Sequence, residues 1–179
     1  MLLKFTSFSL VGYCLLIFAP IAIAASPKDA CHLPQGLRHR LASRYPGARL
    51  VHLSDLSEDD RGFFEAQHED ACPGKASVDF YGDGKPTLAL VLIAEVGGKQ
   101  ESILIVAHQV GARWSTTLLD SGDSSMPVVW SQSPGEYEDV YGDKKIRAHN
   151  PVIVLCQYEA WSILYAWTNN RVEKIWLSD

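Results

Sequence analysis

From Ala76 to the end of the chain, short apolar runs alternate with polar turn signals, the texture of consecutive antiparallel strands. Thr87 to Val96 and Ser102 to Val110 flank Gly97-Gly98-Lys99-Gln100, a hairpin turn. Strands are predicted over Trp114 to Leu119, Pro127 to Ser131, Tyr137 to Tyr141, Ile146 to Ala148 and Pro151 to Tyr158, with turns at Asp120-Ser-Gly-Asp-Ser124, Ser133-Pro-Gly-Glu136 and Gly142-Asp143. The last two strands, Ala160 to Thr168 and Arg171 to Leu177, are joined by Asn169-Asn170, residues that tolerate the positive φ of a tight primed turn. Upstream the period changes. Between Leu33 and Tyr45, Leu37, Leu41 and Tyr45 recur four apart on one face, with Pro34 near the start and Pro46-Gly47 as a stop, which predicts an amphipathic helix. A short strand over Arg49 to Leu53 follows. Ser57-Glu-Asp-Asp-Arg61 then has the form of a helix start with acids in the first turn, predicting a second short helix to about His68. The pattern as a whole predicts an α+β fold, two short N-terminal helices packed on an antiparallel β-meander, in one globular domain over residues 25–179.

The first residues follow a different logic. Lys4, an apolar stretch from Leu10 to Ile23 and then Ala22-Ile23-Ala24 reproduce the three-part layout of a cleavable secretory signal over residues 1–24. As a membrane anchor the apolar run falls short of the roughly 20 residues a spanning helix needs, and Pro20 interrupts it. Tyr13 stands before Cys14 where a lipoprotein signal wants a small residue. The expected product is a periplasmic or secreted chain with no stable membrane anchor after cleavage. Loss of Lys4 moves the net charge from −5 to −6. Without a Lys/Arg block to neutralise phosphates, a duplex nucleic-acid partner is disfavoured.

Removal of Cys14 leaves three of the four cysteines. Cys31 and Cys72 sit in polar, turn-rich settings, Asp-Ala-Cys-His and Asp-Ala-Cys-Pro-Gly, and are the expected disulfide in an oxidising compartment. Cys156, inside Val152-Ile-Val-Leu-Cys-Gln-Tyr158, reads as a buried apolar thiol.

Alternation in Ala160 to Thr168 puts Trp161, Ile163, Tyr165 and Trp167 on one strand face, and a two-residue turn sets Val172, Lys174 and Trp176 across from the last three. Exposed, Trp161, Tyr165, Trp167 and Trp176 form a binding face for sugars or a protein partner; covered, they are the core side of the sheet. The small residues on the opposite face favour the core reading.

One segment has the look of a known site. Val78-Asp-Phe-Tyr-Gly-Asp-Gly-Lys-Pro-Thr87 resembles the Asp-Gly loop of FG-GAP and VCBS repeats, which lies between two strands and often holds calcium. Calcium takes six to eight oxygen ligands, so such loops space carboxylates at alternate positions and turn on glycines. The resemblance implies Asp79, Asp83, the Lys85 position and Thr87 as the metal-loop set, with calcium as the cofactor if any is bound. Tyr81 and Thr87 stand where the motif carries acids, so a tight hairpin without metal is the competing reading. The order of Tyr-Pro-Gly, Asp-Leu-Ser-Glu-Asp-Asp-Arg, Ala-Cys-Pro-Gly, the Asp-Gly loop, Pro-Gly-Glu-Tyr-Glu and a closing aromatic hairpin also resembles short exported bacterial proteins of unassigned function.

Catalytic patterns are weak. Gly122-Asp-Ser-Ser125 has the letters found around a protease nucleophile but no base or oxyanion donors specified around it, so it reads as a polar turn. The six histidines show no metal-ligand spacing, and Glu65, Glu69, Glu95, Glu136 and Glu138 cannot be paired as acid and base from sequence. The expected function is an exported, non-catalytic binding domain for an unknown protein or envelope ligand, inhibitor- or immunity-like. The alternative is a small envelope-polymer hydrolase with a cation at the Asp79 to Thr87 loop.

Overall fold

The computed structural model describes residues 30–122 and 125–179, so the export signal expected over residues 1–24 lies outside the described residues. Among the described residues, the helices α1 (Gln35–Arg44) and α2 (Glu58–Gln67) precede most of the strands. The strands are β1 (Arg49–Leu50), β2 (Lys75–Ser77), β3 (Thr87–Val96), β4 (Lys99–Val110), β5 (Arg113–Ser121) and β6 (Val128–Gln132). They continue with β7 (Gly135–Glu138), β8 (Lys145–Ala148), β9 (Val152–Gln157), β10 (Trp161–Thr168) and β11 (Arg171–Ser178).

Strands dominate the described residues, and the fold is mostly β, which overturns the α+β expectation. The single meander is overturned as well. One five-stranded sheet runs β1-β3-β4-β5 with β2 also on β3, a four-stranded sheet runs β11-β10-β9-β6, and β7-β8 is a separate hairpin. All pairings are antiparallel. The physical reason for the miss lies in β6, which pairs with β9 across an intervening hairpin, a non-local choice that local turn signals do not encode.

The two sheets pack face to face. Ala89, Val91, Ile93, Leu104 and Val106 of the first meet Val129, Ile153, Leu155, Ile163 and Tyr165 of the second in the central core. Their outer faces are covered too. Leu37 and Leu41 of α1 lie over Leu90, Leu92, Ile103 and Ile105. On the other side Ile146 and Ala148 of β8 cover Val152, Val154, Leu164, Ala166 and Ile175. The molecule is thus layered helix, sheet, sheet, hairpin, and its inner strands are apolar on both sides.

The N-terminal elements are held by identifiable contacts. Ser57 caps α2, its Oγ accepting from the Asp60 N–H at 3.1 Å, and Phe64 carries the helix into the central core. β1 and β2 lie end to end along one edge of β3. Gly74 makes that junction: its N–H donates to the Val51 carbonyl at 3.1 Å and its carbonyl accepts from Val91 at 2.9 Å. A Cβ there would lie 2.6 Å from the Val51 oxygen, so only glycine fits. The Cys31–Cys72 disulfide is formed and ties the start of α1 to the same edge. Asn169 and Asn170 adopt φ of 51° and 61° and set Trp167, Tyr165 and Ile163 opposite Val172, Lys174 and Trp176.

Candidate functional site

The aromatic row of β10 and β11 divides into a buried middle and two accessible ends. Ile163 and Tyr165 are buried in the central core, while Trp161 and Trp167 are only half-buried and Trp176 is exposed. The opposite face is no less apolar, since Leu164 and Ala166 are fully buried under the β7-β8 hairpin.

At one end Trp161 and Trp176 wall a cleft of about 260 Å³ between the sheets, with Ile163, Leu155 and Leu104 as its apolar lining. The two indoles meet edge to face at 6.3 Å. Asp120 and Lys174 also line the cleft. The Lys174 ammonium donates to Asp120 Oδ2 at 2.6 Å, the Tyr165 hydroxyl donates to the same oxygen, and the Ser121 N–H donates to Oδ1 at 2.9 Å. Lys174 Nζ also lies 5.5 Å from the centre of the Trp176 ring, within cation–π range.

A β-bulge puts Asp120 there. Leu104 pairs with Asp120 and Ile105 with Leu118, so Leu119 is the extra residue. Without it Asp120 would fall out of register with Leu104, which faces the central core. A second irregularity, between Ser162 and Ile163 on β10, lies beside Trp161 and Trp176.

Burial alone would raise the Asp120 carboxyl, but the hydrogen bonds from Lys174 and Tyr165 and the Lys174 charge outweigh it and hold the group below the usual carboxylate range. Burial first, then the bond to Asp120 and its charge, push the Tyr165 phenol far upward. The two shifts run in opposite directions, the carboxyl of Asp120 down and the phenol of Tyr165 up, so the network favours a charged carboxylate beside a neutral phenol. The sequence places Lys174 on this face but does not bring Asp120 to it. The available signal was Lys174 itself, the one cation in an otherwise apolar row and a natural partner for an acid brought to the same face.

At the other end of the row, Trp167 meets Tyr81 edge to face at 5.0 Å above a wider groove of about 690 Å³. Its floor and sides bring together Asn150, His149, Arg147 and the Asn169-Asn170 turn.

The Asp79 to Thr87 loop joins β2 to β3 beside this groove. Both Asp79 oxygens accept from the Gly84 N–H, at 3.2 and 3.3 Å, and Asp83 Oδ1 accepts from the Lys85 N–H at 3.1 Å. Asp83 Oδ2 pairs with the Lys85 ammonium at 2.8 Å and with His108 Nε2 at 3.3 Å. The Asp83 carboxyl is lowered, first by its bond to Lys85. The carboxylates thus accept from the backbone of their own turn, and the Lys85 side chain pairs with Asp83. No group of three or more His, Cys, Asp or Glu side chains converges as a metal site among the described residues.

Thr87 Oγ1 lies 2.9 Å from His108 Nδ1, which gives Thr87, His108 and Asp83 the connectivity of a hydroxyl–imidazole–carboxylate triad. Thr87 is only 1% exposed, however, so its hydroxyl has no access to a substrate and the chain of bonds serves to lock the loop to β4. Of the serine turn, Gly122 donates its N–H to the Ser102 carbonyl at 2.9 Å at the cleft, and positions 123 and 124 lie outside the described residues.

Among the described residues no helix is long and apolar enough to cross a membrane. No protein-family model, no curated protein and no solved structure matches the chain.

Proposed function

We propose that this is an exported, non-catalytic binding domain that seats an uncharged apolar or aromatic group of a protein partner in the cleft between Trp161 and Trp176. The cleft carries the reading. At about 260 Å³ it sits just below the range of about 300–1,000 Å³ typical of sites for whole small ligands. It suits one anchoring side chain, the kind of pocket on which binding energy concentrates in protein interfaces. Its charges are already matched internally, because Asp120 is saturated by Lys174, Tyr165 and the Ser121 amide. A charged guest would compete with these bonds; a neutral ring would not. The Cys31–Cys72 bridge is compatible with an oxidising, extracytoplasmic setting.

The test is a titration with N-acetyltryptophanamide followed by two-dimensional NMR. The expected result is saturable shifts at the Trp161 and Trp176 indole N–H groups that disappear in Trp176→Ala. Shifts that miss both indoles, or that persist in the variant, would sink the reading.

A further inference from the structure

We propose that the groove beside Trp167 is a second binding site, independent of the cleft, for an acidic oligosaccharide whose pyranose rings carry carboxylates. Three observations converge on that chemistry.

The first is charge. The chain has a net charge of −5, yet the groove is lined by Lys144, Lys145, Arg147 and Arg171 against a single acid, Glu173. Glu173 answers Lys144 at 2.6 Å and Arg171 at 2.5 Å, so those two are largely matched. Lys145 reaches outward to Glu138 at 2.8 Å. Arg147 is the least committed: its guanidinium is 3.9 Å from Glu136 and 73% exposed. A planar fork held so loosely is suited to take a carboxylate bidentately.

The second is the aromatic surface. Trp167 is half-buried and braced edge-on by Tyr81, which is itself braced by His108 at 4.8 Å. A ring fixed on one side offers a stacking surface without freezing further rotors.

The third is the amide set. Asn150, Asn169 and Asn170 line the same groove. Each amide offers both donor and acceptor, and a sugar hydroxyl is likewise both, so the amides can answer a row of hydroxyls. The Asn150 amide lies close against Gly82, where a Cβ would come within 2.4 Å of its Oδ1, so the glycine leaves room for the amide in the groove. An acidic peptide such as a run of glutamates would satisfy the cations and, through its backbone, the amides, but would bring no flat face to the ring.

The experiment uses tetragalacturonate, neutral maltotetraose and tetraglutamate as probes, read by calorimetry and by the Trp167 indole signal. Tetragalacturonate should bind, shift the Trp167 indole and weaken with added salt. Arg147→Gln should lower its affinity about tenfold or more while leaving the melting temperature unchanged, because a charge-assisted bond at an exposed residue is lost. Trp176→Ala, in the cleft, should leave that affinity intact, which separates this site from the first. Equal binding of tetraglutamate with the same indole shift would reduce the groove to a charge patch and overturn the proposal. Equal binding of maltotetraose, no binding of tetragalacturonate, or an affinity unchanged in Arg147→Gln would overturn it as well.

Discussion

At the residue scale, the Asp120 network makes a definite prediction about acid. A carboxyl held below its ordinary value in the fold stabilises the fold above its unfolded value and loses that contribution as pH falls through the lowered one. Asp120→Asn should therefore be less stable than the parent at pH 7, and the gap in urea midpoint should close between about pH 5 and pH 2. A gap that stays constant across that range would show that the charge on Asp120 contributes nothing. Cys156 makes a prediction about reactivity. Burial, with a smaller push from Asp60, raises its thiol to about 11, so almost none is thiolate at pH 8. Iodoacetamide should leave Cys156 unmodified in the native protein and label it completely in urea, as read by mass spectrometry.

At the element scale, α1 depends on a covalent anchor as well as on Leu37 and Leu41. Closing a loop across a separation of 41 residues is worth about 4 kcal/mol in the chain-entropy model. Cys31→Ser with Cys72→Ser should lower the unfolding free energy by about 2–5 kcal/mol in urea titrations. The presence of most elements was legible in the sequence, their ends less so: the strand expected over Tyr137 to Tyr141 is Gly135–Glu138, and the one expected over Arg49 to Leu53 stops at Leu50. The helix face marked by Leu37 and Leu41, the Ser57 cap and the Asn169-Asn170 turn each rest on local chemistry, and each lies where that chemistry puts it. The three-residue β2 escaped notice because it is too short to show a period, and its pairing depends on Gly74 meeting Val51, a contact between distant segments. Asp120 reads as a turn residue in the sequence because a bulge shifts register without altering composition.

At the scale of the whole molecule, the layered arrangement removes the usual distinction between an inner and an outer sheet face. Leu164 and Ile105, both fully buried, point away from the central core, one toward the β7-β8 hairpin and the other toward α1. Leu164→Ala and Ile105→Ala should each cost about 2–5 kcal/mol, the range for interior positions, and chemical denaturation would check both. A cost near zero at either would mean that the covering layer is loosely applied. The same double covering explains why the fold class was misread. Strands coated on both sides lose the alternation that betrays sheet partnership, so Val152 to Leu155 and Leu88 to Ala94 show where strands are without showing what lies on either side. The candidate cleft was half legible: Trp161, Trp176 and Lys174 stand in a readable row, while Asp120 reaches them only through the packing of two sheets.

The disulfide also bears on the order in which the molecule is assembled. Both cysteines precede β3 in the chain, and the segment between them carries α1, β1 and α2. A chain emerging from its N-terminus can therefore tie this loop before the strand it borders has appeared. β3 would then arrive at an edge partner already gathered into a small volume, shortening the search for its least local pairing.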